Sequence, residues 1–192
     1  MTSVIKVDTI QNSSGTSSMS IASNGFVIPP AGGIIQTQYT MFTGTNSYSI
    51  TSSTNTKITD LAVNITPTSV NSVIKIETFV TGEQSDSNSH YNSVWFFYRD
   101  NTPLIAPNAG NRYAGIAMGS NINIWTSEAN STAENANYMY FDTPSTTSQV
   151  TYTVGYFSNY TSSFYLNRTV ADTDAAQYER GISSICVTEI AG

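Results

Sequence analysis

Charge is scarce in this 192-residue chain. Asp, Glu, Lys and Arg make up 10% of it, against ~25% in an average soluble domain. A fold held mainly by ion pairs is therefore excluded. The seven basic residues are Lys6, Lys57, Lys75, Arg99, Arg112, Arg168 and Arg180, scattered along the chain. No basic stripe can neutralise a phosphate backbone, so nucleic acid is not an expected partner. The net charge of −6 is spread thinly and suits solubility better than steering. Cys186 is the single cysteine, so no disulfide can form within the chain. It lies in an apolar run and is expected to be a small buried hydrophobe. No apolar run approaches the ~20 residues of a membrane span, so no membrane insertion is expected. The first residues have neither a basic n-region nor an apolar h-region, so no secretory signal is expected and the protein should be soluble and made in a cytoplasm.

What is abundant is Ser, Thr and Asn, together with 12 Tyr and 8 Phe, and 39% of residues are hydrophobic. That is enough to close a core, and Thr, Tyr, Val, Ile and Phe suit a pleated, half-buried surface. Val150, Tyr152, Val154 and Tyr156 share one face of a strand pattern. Ile74, Ile76, Thr78 and Val80 share another. Ile58, Leu61, Val63 and Ile65 form a third row, with a phase slip near Asp60 that reads as a bulge. Strands are expected over 34–42, 57–66, 73–82, 93–99, 114–118, 122–126, 137–142, 149–158, 163–168 and 181–190. Residues 127–137 contain Glu and Ala and suit a helical turn or two. Closely spaced strands with Asn, Ser and Gly turns predict an all-β antiparallel sandwich.

The stretch Pro29-Pro30-Ala31-Gly32-Gly33 stops regular structure, because two residues lack a backbone donor and two accept almost any dihedral. Residues 1–33 read as an N-terminal attachment and trimerisation segment ending in this connector, and 34–192 as the head. The alternative is an ordinary loop between two strands of one domain. Within the segment, 3–10 alternates as one strand, and 18–21 and 25–28 as two short ones. It has too few large residues to bury a core alone. Its apolar residues Val4, Ile5, Val7 and Ile10 are the expected attachment contacts, since an unpaired strand is a template for another chain.

Catalytic chemistry finds little support. His90 is the only histidine and has no Gly-x-Ser-x-Gly elbow for company, so it reads as a polar loop residue. Asp172, Asp174 and Glu179 lack cation-loop spacing and read as a solvated acidic turn. Asn-x-Ser/Thr matches such as those at Asn64, Asn130, Asn159 and Asn167 are expected by chance in so much Asn, Ser and Thr. No catalytic residue, metal or cofactor is expected. Tyr91, Tyr113, Trp125 and Tyr160 lie in or beside polar connections, where rings can stack on sugars; otherwise they finish the core or a subunit interface.

Four stretches together resemble marine bacteriophage tail-fibre and related virion proteins. They are Val4-Ile5-Lys6-Val7-Asp8-Thr9-Ile10-Gln11-Asn12 with Gly15-Thr16, then Ile58 through Pro67, then Tyr140-Phe141-Asp142-Thr143-Pro144 with Val150-Thr151-Tyr152, and last Tyr165-Leu166-Asn167-Arg168 with Arg180 through Ile190. The resemblance implies a virion structural protein with a jelly-roll-like head, assembled as a homotrimer and lacking enzyme activity. It implies other phage tail or capsid proteins as partners, and a host cell-surface glycan as a candidate receptor. The length suits a short tail fibre, tail appendage or surface knob. The alternatives are a capsid-surface decoration protein or a lectin-like carbohydrate-binding module; a polysaccharide depolymerase would need an acid–base pair that is not recognisable here.

Overall fold

The computed structural model describes residues 6–23, 25, 27–85, 92–107, 110–119 and 131–192. Among them are β-strands and no helix. Three strands belong to the N-terminal segment: β1 (Thr9–Gln11), β2 (Ser17–Ile21) and β3 (Val27–Ile28). They form a small antiparallel sheet of their own, in that order. The head contributes β4 (Ile34–Phe42), β5 (Asn46–Ile50), β6 (Thr54–Ile65), β7 (Val73–Gln84), β8 (Ser93–Arg99), β9 (Thr102–Leu104) and β10 (Ala117–Met118). It continues with β11 (Glu134–Asp142), β12 (Val150–Ser158), β13 (Ser162–Leu166) and β14 (Ser183–Ile190).

Several of these strands are halves of one line. Along β7, β14 pairs from Val73 to Phe79 and β13 takes over from Gly82 to Gln84 on the same side. β4 pairs β14, and β5 pairs β13, so β4 and β5 are likewise one interrupted line. β9 and β10 divide one edge of β8, at Phe97–Arg99 and at Val94–Trp95. Joined in this way, the first sheet runs β4/β5, β13/β14, β7, β11, and the second runs β6, β12, β8, β9/β10. That strand order is the double Greek key of a jelly roll, an antiparallel sandwich.

The expected apolar rows form the core between the sheets. Val150, Tyr152, Val154 and Tyr156 are buried, as are Ile74, Ile76, Thr78 and Val80 and the row of Ile58, Leu61, Val63 and Ile65. Trp95 packs on Tyr156 at 4.5 Å between ring centroids, and Phe97 on Tyr138 at 4.6 Å. Tyr138 crosses the sandwich from β11, and its hydroxyl donates to the Phe96 carbonyl at 2.9 Å. Thr40 Oγ1 donates to the Ala62 carbonyl at 2.6 Å, tying β4 to β6 where the two sheets approach at one side. The phase slip in β6 is a bulge: Thr153 pairs with Ala62, while its neighbour Val154 pairs with Ile58. Asp60, in the bulge, accepts from Tyr48 Oη at 2.7 Å and Asn46 Nδ2 at 2.6 Å, both on β5.

Several expectations need correction. Of the strand expected over 3–10, residues 3–5 lie outside the described residues, Lys6 to Asp8 are not in a strand, and Thr9 and Ile10 lie in β1. Glu134 to Asn137 are not helical. They pair with β7 as the start of β11, where cross-strand hydrogen bonds override local propensity. Cys186 is half-buried rather than buried, because Ile185 and Val187 fix the parity of β14 and turn the thiol to the outer surface. β5 and β9 have no counterpart among the expected strands. β5 is masked by Asn and Ser, and β9 contains Pro103, which the edge position tolerates. The strand expected over 122–126 lies outside the described residues.

Candidate functional site

The N-terminal sheet is built around one side chain. Asn12 Oδ1 accepts from the backbone N–H groups of Ser14 at 3.0 Å and Thr16 at 2.9 Å, and from Ser14 Oγ at 2.7 Å. Gly15 supplies the positive φ of 83° that closes this turn. The sheet buries little. Val7, Ile10, Ile21 and Val27 are all exposed, between 39% and 49%. Val4 and Ile5, expected beside them, lie outside the described residues.

The connector is bonded at its end. Gly33 N–H donates to the Pro30 carbonyl at 2.9 Å, and Gly32 has φ of 86°. Gly32 N–H donates to the Ala191 carbonyl at 2.7 Å, and Ala191 N–H donates to the Gly33 carbonyl at 2.8 Å. The chain thus enters the head already paired with its closing strand.

Of the four rings expected near a receptor, Tyr91 and Trp125 lie outside the described residues, as does His90. Tyr113 is exposed and its ring rests on Phe157 at 5.0 Å. It borders a hollow of about 190 Å³ with Asn55, Ile105, Arg112 and Phe157. Tyr160 is also exposed, in the turn past the end of β12, where its N–H donates to Ser158 Oγ. The two rings make no ring contact with each other among the described residues.

Three buried carboxylates escaped the sequence reading; Glu83 and Glu189 hold loops, and Asp142 ties β11 to β8 and β12. Glu83 Oε1 accepts from Thr132 N–H and Thr132 Oγ1, and Oε2 accepts from Val170 N–H at 2.7 Å. Asp142 accepts from Arg99 Nη1 at 3.0 Å and Tyr152 Oη at 2.7 Å. Glu189 accepts from Thr68 N–H, Thr68 Oγ1, Ser72 Oγ and Gln36 Nε2, all within 2.7 Å. Burial alone would raise the Glu189 carboxyl, yet these hydrogen bonds outweigh it and lower its pKa. Burial pushes the Tyr156 hydroxyl up to about 12, and burial with the Asp142 hydrogen bond pushes Tyr152 well above the usual phenol range. The three carboxylates are engaged in structural hydrogen bonds. In the acidic turn, Asp172 meets Arg180 and Arg168. Among the described residues no cluster of three His, Cys, Asp or Glu could hold a metal. The cavity between Trp95, Tyr156, Phe164 and Glu83 measures about 20 Å³, room for a water molecule and no ligand.

The class defined by these strands is the antiparallel jelly roll. No family model matches the chain, and no curated protein matches it either. Among solved structures, the infectious bursal disease virus VP2 subviral particle aligns with 86% of this chain at 10% identity and a TM-score of 0.35. The chain spans less than half of that structure's length, 43%. So faint a likeness carries no function across.

Proposed function

We propose that this chain is a bacteriophage virion structural protein. In this reading, residues 1–33 attach it to the particle and join three copies, while the jelly-roll head of 34–192 projects outward as a short tail fibre, appendage or surface knob. The observation that carries the reading is the contrast between the two parts. The head buries a continuous apolar core, whereas the N-terminal segment leaves Val7, just before its sheet, and Ile10, Ile21 and Val27 within the sheet in water. A sheet that cannot cover its own apolar residues is stable when another chain covers them. Closed three-fold symmetry would let three such sheets bury one another without open-ended growth. Other tail or capsid proteins are then the particle-side partners. A host-surface glycan at the end of the head near Tyr113 and Tyr160 is the receptor this reading favours, and the chain acts by binding, with no catalysis.

The test is removal of residues 1–31, which spares the Gly32 and Gly33 pairing with Ala191. The shortened chain should melt close to the intact one but fail to enter particles, and its tendency to form trimers should fall. Full-occupancy particles built from the shortened chain would place attachment on the head and overturn the reading.

A further inference from the structure

The outer faces of the two head sheets differ. On the second sheet the outward row Val94, Phe96 and Tyr98 is buried, because the chain itself returns over it. Ile116 and Phe157 pack there, and Tyr113 lies on Phe157. On the first sheet the outward row is bare. The register places Phe141, Lys75, Thr188 and Thr37 on one rung, then Met139, Glu77, Cys186 and Tyr39, then Asn137, Phe79, Ser184 and Met41. Tyr39, Met41, Phe79, Met139, Phe141 and Ile182 are between 39% and 70% exposed. Aromatic residues and methionine are the types enriched in interface centres.

We infer that this face packs against the same face on other copies of this chain. Three features favour a second copy as the occupant. The first is charge. The chain carries −6 overall, so copies repel unless they meet where the acid excess is absent. The only charged residues on these three rungs are Lys75 and Glu77, paired at 2.8 Å. The hollow beside Ile182 adds Glu179 and Arg180, one of each sign, so the face is balanced in charge, and Lys75 of one copy can pair with Glu77 of another. The second is shape. Tyr39 stands out as the most exposed ring among the described residues, at 70%, while a hollow of about 320 Å³ opens between Phe79 and Ile182. One face carries both a projection and a socket. The third is area. Six large apolar side chains, each 39% to 70% exposed, share one sheet face, whereas soluble monomers rarely leave a contiguous apolar patch of more than a few hundred Å² bare. The contact does not depend on the virion reading. It joins heads, whereas the proposed N-terminal contact joins segments.

Methionine oxidation in the full-length chain tests it. Met41 and Met139 lie on the face, and Met118 lies on β10 of the other sheet; all three are more than half exposed in a single chain. Under peroxide at a protein concentration where light scattering shows several copies together, Met41 and Met139 should oxidise about tenfold more slowly than Met118, as when about nine-tenths of the chains are associated. Diluting the protein, or substituting Phe79→Asp on the exposed face, should bring the three rates together. Equal rates while the mass remains that of several copies would overturn the proposal and leave the segments as the only contact. Protection that appears only in intact particles would overturn it too, by assigning the face to a different protein. Protection of Met41 and Met139 that survives removal of residues 1–31 would support it even if the attachment reading failed.

Discussion

Ser183 and Asn167 meet where β13 gives way to β14. Ser183 Oγ donates to Asn167 Oδ1 at 2.5 Å, and both residues are fully buried. Asn167 has φ of 61°, and its Nδ2 donates to the carbonyls of Phe42 and Gly44 at 2.8 Å each. One side chain thus closes two breaks, that between β13 and β14 and that between β4 and β5. Asn167→Ala should cost about 2–4 kcal/mol, since buried carbonyls lose donors and alanine resists that backbone conformation. Urea unfolding should show the lower midpoint with an unchanged slope. A midpoint equal to wild type would mean that the breaks are held elsewhere.

Glu189 sets an acid limit. Its pKa is lowered on folding from an ordinary value of 4.5. The stability it contributes is complete above that value and is lost as the pH falls through the folded one. Melting temperatures should therefore drop steeply below about pH 4.5. Glu189→Gln should melt lower at pH 7, because an amide cannot accept at both ends, and should show a flatter acid slope. Parallel acid slopes for the two proteins would show that other groups govern the acid transition.

Val154→Asp should destabilise the head by several kcal/mol, because the new carboxylate would be buried without a partner. Val154 has no exposed surface and sits between Tyr152 and Tyr156 in the central row of β12. A mutant melting within a degree or two of wild type would contradict this placement.

Tyr138→Phe makes a milder contrast. It keeps the ring against Phe97 and removes only the hydroxyl that reaches the Phe96 carbonyl across the sandwich. The expected cost is about 1–2 kcal/mol, read as a shift in the thermal midpoint. A loss as large as that of Val154→Asp would indicate that the bridge orders much more than one carbonyl.

The head was legible wherever period-two apolar residues fill a strand. The rows on β6, β7 and β12 were readable, and so was the bulge near Asp60. Regular alternation fixes both a strand and its inward face. Cys186 was misplaced because residue type is a weaker guide than parity. Glu83 and Glu189 were invisible as core residues, since their partners lie in loops remote in sequence; Glu189 and Thr68, for example, are 121 residues apart. The bare outer face could not be foreseen from Phe79 or Met139 alone, because exposure there depends on four strands aligning. At the N-terminus, alternation continues through Lys6 to Asp8, yet the paired strand begins only at Thr9, because sequence alternation does not say where a partner strand ends.

The order of the first sheet also bears on how the protein is made. Ser183 pairs with Phe42, so β4 leaves the ribosome long before its partner does. At ~5–20 residues per second the wait is on the order of ten seconds. During that time β4 offers an open edge, and β7 lacks its neighbour on the same side. Folding of the head must therefore await release of the closing strand, and slow, long-range pairing of this kind exposes nascent chains to aggregation. High yield then depends on keeping newly made copies apart until residue 190 is free.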